Sequence, residues 1–288
     1  MINARMIIEK GCEGMETLEQ QYIDAFGNLL THDVKPMSEE EFRRCEVVSS
    51  TLSEPLDIRQ GKGKYYYHDA RIKAESLLDI YSLPKGYQDF SSYPITFEWR
   101  KDVFPCSLYV TFINSDDYKD LYHVSQIQIP VEKDQLSPYY LAHEYHHALK
   151  DIHPKEYVYK LRFTDTIPQF FELIAGETKE EEKDLIHNRL SMIQNSQSLL
   201  MDHFARKDAN PIFDLIESSD CQYLHSFYYS VLLYELYQDY PKEILSGIRE
   251  VLMGQKTTYE LLQSFHLFDS CLDSHVEKGI QYLKKYSD

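Results

Sequence analysis

Apolar residues recur at helical spacing, between mixed charges, through most of the first 90 residues. This spacing predicts three helices, at Met15–Leu30, Ser38–Thr51 and His68–Ile80. In the second of them, Ser38 and Glu41 form the residue pair of a capping box, in which a serine side chain starts the helix. The N-terminal third is therefore predicted to be helical.

The pattern changes between Tyr93 and Val131, where β-branched and aromatic residues partly alternate with polar ones. Such alternation is typical of strands that are buried on one face. The predicted strands are Ile95–Trp99, Ser107–Ile113 and Val124–Pro130, and turn-forming residues stand at positions 114–117. A small sheet thus separates two helical regions.

Helical spacing returns at Ser137 and continues towards the C-terminus. One helix is predicted to start at Ser137 and another near Pro168, and further helices are predicted at Leu185–Phe204, Tyr223–Tyr237, Glu243–Met253 and Thr258–Phe265. The order of helices, a small sheet and more helices predicts an α+β fold.

The composition argues against some classes of binding partner. A formal charge of −17 argues against binding to nucleic acid or anionic lipid, because both would repel the protein. No apolar run approaches the roughly 18 residues of a membrane span, and the N-terminus lacks a signal-peptide pattern. The five cysteines are widely spaced, which is typical of reduced thiols. We therefore expect a cytoplasmic protein, with export by another route left open.

One short motif specifies a chemistry. His143, Glu144 and His147 form H-E-x-x-H on the helix predicted to start at Ser137. Residues four apart share a helix face, so both histidines can bind one Zn²⁺, at about 2.0–2.1 Å. Glu144 lies about 100° round the helix and is close enough to act on a zinc-bound water. His146 is interpreted as a residue behind the ligands or at the surface.

A catalytic zinc usually has a third protein ligand, and the next predicted helix offers two glutamates. Glu172 lies in an apolar run, where a carboxylate is costly unless it is compensated. Glu177 opens a charged run that is most simply a solvated face, but its helical phase is nearer the apolar stripe. We predict Glu172 as the third ligand, with Glu177 as the alternative.

These motifs resemble the gluzincins, zinc metallopeptidases in which H-E-x-x-H is followed by a glutamate on a later helix. Residues 172–175 match the gluzincin E-G-x-A motif at Glu172 and Ala175, while Leu173 replaces the glycine. The form His143-Glu-Tyr-His-His147 is also similar to a group of bacterial predicted zinc-dependent proteases. The resemblance implies a zincin-like fold, in which the sheet and the active-site helix precede a helical lobe.

A later segment resembles the gluzincin aminopeptidases more loosely. Tyr223 and Ser226 take the Tyr and Gly positions of their Y-x-x-G motif, whose tyrosine hydroxyl stabilises the oxyanion. The resemblance implies Tyr223, or else His225, as an oxyanion donor. The alternative is that Tyr223 is a core aromatic, since the chain has 24 tyrosines.

The sequence therefore predicts a zinc-dependent peptide-bond hydrolase, with Glu144 as general base and a peptide or protein as substrate. The alternatives are a zinc hydrolase of a non-peptide amide or ester, and a catalytically silent zincin-fold regulatory or binding protein. We expect residues 1–90 to form a helical N-terminal region and residues 91–288 the zincin-like domain, unless both are one domain. If strand Val124–Pro130 has a free edge, an extended peptide could pair with it.

Overall fold

The computed structural model describes residues 38–52, 56, 67–84, 95–100, 106–113, 121–130, 137–151, 163, 165–178, 185–195 and 211–285. The predicted helix Met15–Leu30 and the boundary near residue 90 lie outside these residues. Of the five cysteines, Cys45 and Cys271 form no disulfide in the described part of the chain.

Helix α1, Glu39–Thr51, begins with the predicted capping box. The Ser38 hydroxyl accepts a hydrogen bond from the Glu41 N–H at 3.3 Å, and the Ser38 N–H donates to the Glu41 carboxylate at 2.8 Å. Two donors that the helix cannot satisfy internally are thereby paired. Helix α2, Tyr67–Leu77, continues into a 3-10 turn, Leu78–Tyr81, and covers the stretch predicted as one helix.

Three strands follow in the described chain: β1, Ile95–Arg100; β2, Cys106–Ile113; and β3, Leu121–Pro130. Each of them overlaps a predicted strand. Their order in the sheet is β1-β3-β2, with β3 parallel to β1 and antiparallel to β2. The condition of a free edge on Val124–Pro130 is therefore not met from Ser125 to Gln128. There, β3 pairs with β1 on one edge and with β2 on the other, which leaves no edge for an extended peptide to join.

Helix α3, Pro138–Asp151, carries the H-E-x-x-H motif. Its predicted start is confirmed, since the Ser137 hydroxyl accepts from the Tyr139 N–H at 3.3 Å and Pro138 takes the first helical position. The helix packs against β2 and β3 on one side and against helices on the other. This position holds the motif between the sheet and the helical part of the molecule.

The remaining helices are α4, Thr166–Thr178; α5, residues 185–195; α6, Pro211–Asp239; α7, Pro241–Leu252; α8, Thr258–Ser264; and α9, Asp273–Lys284. Helix α6 begins twelve residues before its predicted start at Tyr223, because its polar N-terminal half carries a weak apolar pattern. Helix α9 was not predicted, although its buried Val276, Ile280 and Leu283 stand at helical spacing. In the described residues, no helix combines the length and apolar character needed to cross a bilayer.

Helix α6 is the centre of the helical part, and α1, α4, α7 and α9 all pack against it. From Leu224 to Tyr234 its side chains are buried without a break. A helix that is apolar on all sides needs neighbours on all sides. The described N-terminal helices thus belong to the same packed body as the C-terminal ones.

Arg44 links α1 to the aromatic residues around α6. Its guanidinium is buried, lies 5.4 Å from the ring centre of Tyr229 and donates to the Phe268 carbonyl at 3.0 Å. It also donates to Glu40 at 3.1 Å. A buried arginine over an aromatic face gains both the ring contact and charge-assisted hydrogen bonds.

We expect Arg44→Met to lower the free energy of unfolding by about 1–3 kcal/mol, because it removes a buried cation–π contact and leaves the Phe268 carbonyl without this donor. Chemical denaturation measures the change. Arg71→Met is the matched control, since Arg71 pairs with Glu75 one turn away at the surface of α2 and should cost at most about 0.5 kcal/mol. Equal losses in the two variants would contradict this role for Arg44.

Candidate metal centre

Two elements bring candidate ligands together at His143. Helix α3 presents His143 and His147 one turn apart on one face, as the motif predicted. Asp165 stands immediately before α4, and its backbone carbonyl accepts the N–H of Gln169 at 2.8 Å, which makes it the N-terminal cap position of that helix. Its side chain turns to the two histidines.

The donor atoms of these residues have the spacing of a metal site. The Nε2 atoms of His143 and His147 are 3.1 Å apart, and each lies 3.4 Å from Oδ1 of Asp165. Ligands about 2.0–2.2 Å from one tetrahedral ion would have donor atoms roughly 3.3–3.5 Å apart. His143, His147 and Asp165 therefore form a group that could hold a metal ion.

Glu172 lies on the other side of His143. Its Oε1 atom is 2.9 Å from Nδ1 of His143, and its two oxygens accept from Nη2 of Arg189, at 2.6 Å, and from Nε of Arg189. Glu172 is 1% exposed, as its apolar surroundings in the sequence indicated. The compensation comes from Arg189 and His143, and Asp165 takes the place beside both Nε2 atoms that the sequence assigned to Glu172.

The contacts of His143 fix its hydrogen-bonding pattern. Since a carboxylate only accepts, we assign the proton of Nδ1 as a donor to Glu172. The lone pair of Nε2 then faces His147 and Asp165. This arrangement, in which a carboxylate holds the far nitrogen of the imidazole, is common behind metal-binding histidines.

The acidic groups dominate the electrostatics of the site. Burial by itself lowers the pKa of His143, but the carboxylates of Glu172 and Asp165 more than offset this and raise it to about 9. Burial acts to raise the pKa of Asp165, yet the imidazoles of His143 and His147 beside its carboxylate hold it well below its usual range. For Glu172, Arg189 and His143 outweigh burial and lower the pKa to about 2. Each carboxylate thus depends on positive charge beside it.

The charges at the site favour a cation. Arg189 pairs with Glu172, and Asp165, 6% exposed, lies against the two histidines. Without a metal, the buried carboxylate of Asp165 needs a protonated imidazole beside it. A metal ion bound by His143, His147 and Asp165 would take over this role.

His146 belongs to the core, so of its two interpretations the surface position is wrong, while a place behind the ligands stays a prediction. Its ring is fully buried, with Nδ1 donating to the Ala142 carbonyl at 2.6 Å and Nε2 accepting from the Tyr81 hydroxyl at 3.0 Å. Both ring nitrogens are used in these contacts, which join α3 to the 3-10 turn after α2. Burial raises the pKa of Tyr81, and its hydroxyl stays available as this donor.

The other predicted site residues lie on α4 and α6. Glu177 is in the last turn of α4, and its side chain is outside the described part of the structure. Tyr223 is half-buried and packs against the core. His225 is buried, with its ring centre 5.4 Å from that of Phe163 and 5.1 Å from that of Tyr229. Their roles as oxyanion donors stay predictions.

Sequence reasoning missed Asp165 and Arg189. Asp165 precedes Thr-Ile-Pro at a helix start, where an aspartate is most simply a cap. Arg189 carried a clearer signal, because it falls on the apolar face of α5, between Ile186 and Ile193. A charge at such a position needs a buried partner, and Glu172 was the nearest acidic residue in a similar apolar setting.

Comparison of the chain with protein-family models, curated proteins and solved structures finds no match. The likeness of its motifs to the gluzincins therefore stays a prediction. The geometry of the buried residues carries the functional argument.

We expect the wild-type protein to bind roughly one zinc ion per chain and Asp165→Ala to lose it, because two histidines alone leave the site with too few ligands. Elemental analysis after chelator washing measures the content. Asp269→Ala, which removes an exposed carboxylate far along the chain, is the control and should bind zinc as the wild type does. Loss of zinc in Glu172→Ala together with full retention in Asp165→Ala would contradict the assignment of Asp165.

Proposed function

We propose that this protein is a metal-dependent hydrolase, with zinc as the metal and a peptide bond as the target. The observation that carries the proposal is the group of three donor atoms at tetrahedral spacing beside a buried glutamate. His143, His147 and Asp165 would hold the ion, and Asp165 replaces Glu172 as the third ligand. Three protein ligands leave a position open, as in catalytic zinc sites.

A zinc ion held by His143, His147 and Asp165 would supply Lewis acidity and would bring the pKa of a water beside it towards 7. The chain supplies the groups that move the proton. Glu144 follows His143 directly on α3, so its carboxylate projects beside the donor group without joining it. Glu144 accepts the proton of the attacking water and then donates it to the leaving amine.

The presence of Glu144 also favours a catalytic zinc site over a structural one. A structural zinc is usually closed by four ligands, often cysteines, and has no use for a neighbouring base. Here the site combines histidines with a carboxylate and places a second carboxylate next to them. These features favour turnover over a silent binding protein.

The substrate is proposed to be a peptide or protein on the strength of the H-E-x-x-H motif. Because both edges of β3 are paired, the substrate must bind to other elements. We propose His225 as the oxyanion donor in place of Tyr223, which the motif favoured, since the ring of His225 contacts Phe163, two residues before Asp165. Tyr223 stays the alternative.

The donor set supports a second candidate. Two histidines and one carboxylate also bind iron(II) in non-haem oxygenases, where other positions on the metal stay open. The buried Glu144 beside the site favours hydrolysis, because proton transfer from water requires such a base. The metal found in the purified protein distinguishes the two.

We expect the zinc-loaded protein to cleave members of a mixed peptide library, with new termini identified by mass spectrometry. Glu144→Gln should keep the zinc and lose about 100-fold or more in rate, because it removes the base and no ligand. Glu75→Gln, at the surface of α2, is the matched control and should cleave at the wild-type rate. A zinc-loaded wild type that cleaves no peptide, or an active Glu144→Gln variant, would contradict the proposal.

A further inference from the structure

We propose that Arg189 and Glu172 form a buried positioning pair that keeps His143 in the tautomer required of a metal ligand. This inference rests on the proposed metal site but concerns residues outside its donor group. It assigns a role to Arg189, a side chain that is 3% exposed and has no direct place in the hydrolytic mechanism.

The contacts of Arg189 define the pair. Its Nε and Nη2 atoms both donate to Glu172, one to each carboxylate oxygen. This two-point contact prevents rotation of the carboxylate, because turning it would break both hydrogen bonds. The carboxylate is thereby held with Oε1 facing Nδ1 of His143, 2.9 Å away.

The position of Glu172 selects the tautomer of His143. A neutral imidazole carries one N–H, and a fixed carboxylate acceptor at Nδ1 favours the proton on that nitrogen. Nε2 is then free of a proton on the side of His147 and Asp165. The other tautomer would place a proton between the three donor atoms and block a metal ion.

Arg189 would favour the opposite tautomer of His143 if Glu172 lost its charge. Its Nη2 atom lies 3.3 Å from Nδ1 of His143 and can only donate. While Glu172 is present, the nearer carboxylate dominates this contact. Without the charge of Glu172, Arg189 would donate to Nδ1, favour the wrong tautomer and repel a cation.

The effect of Arg189→Met on zinc affinity should therefore change sign when Glu172 is replaced by glutamine. In the wild-type background, Arg189→Met should weaken zinc binding about 10–100-fold, because a carboxylate that Arg189 no longer holds at two points can turn away from Nδ1 of His143. Glu172→Gln should weaken it by a similar factor. In the Glu172→Gln background, Arg189→Met should instead tighten zinc binding, because it removes the unpaired cation.

Competition with a chromophoric zinc chelator measures these affinities, and the unfolding transition checks that each variant folds. If Arg189→Met alone fails to fold, the comparison of Glu172→Gln with the double variant still gives the sign. Arg71→Met is the matched control for removal of an ion-paired arginine. Losses that add in the double variant, as for residues that only pack, would overturn the inference.

His147→Ala separates this inference from the proposed function. If the wild type binds zinc and His147→Ala does not, the metal site stands. Wild-type affinity in Glu172→Gln and Arg189→Met would then overturn the positioning pair alone. If the wild type and His147→Ala both fail to bind zinc, the proposed function fails and the inference fails with it.

Discussion

The constraint on which this site depends is the burial of three carboxylates at or beside the helix that carries H-E-x-x-H. Glu144, Asp165 and Glu172 are each less than one-tenth exposed. A buried carboxylate without a partner would cost several kcal/mol, a large part of the stability of a folded domain. Arg189 satisfies Glu172, and the two histidines lie against Asp165. A metal ion between the two histidines and Asp165 would complete this arrangement.

The packing of α3 fixes the positions of His143 and His147. The helix lies between the sheet and the helices around α6, and its capped start fixes where the motif begins. His146, on another face of α3, binds Tyr81 and the Ala142 carbonyl and so ties the helix to its neighbour. Donor groups on a rigid helix can keep the spacing that a metal requires. His146, which stands between the two candidate ligands in the sequence, therefore helps to hold the helix that carries them.

Local signals in the sequence were sufficient for much of the fold and for part of the site. The capping box at Ser38, the start of α3 at Ser137 and the pair of histidines four apart each follow from neighbouring residues. The third donor did not, because Asp165 at a helix start has the ordinary appearance of a cap. Arg189 could not be identified as the partner of Glu172 without knowing the position of α5 relative to α4. The pairing of β3 on both edges likewise depends on strand order, which no local pattern contains.

The central claim is that a metal ion binds between His143, His147 and Asp165 while Glu172 stays behind His143. The most direct test is an anomalous difference map, collected at the zinc absorption edge, from crystals of the zinc-loaded protein. We expect one strong peak in contact with the Nε2 atoms of both histidines and with a carboxylate oxygen of Asp165. A peak bonded to Glu172 or Glu177 in place of Asp165, or a site without zinc despite saturating metal, would contradict the claim.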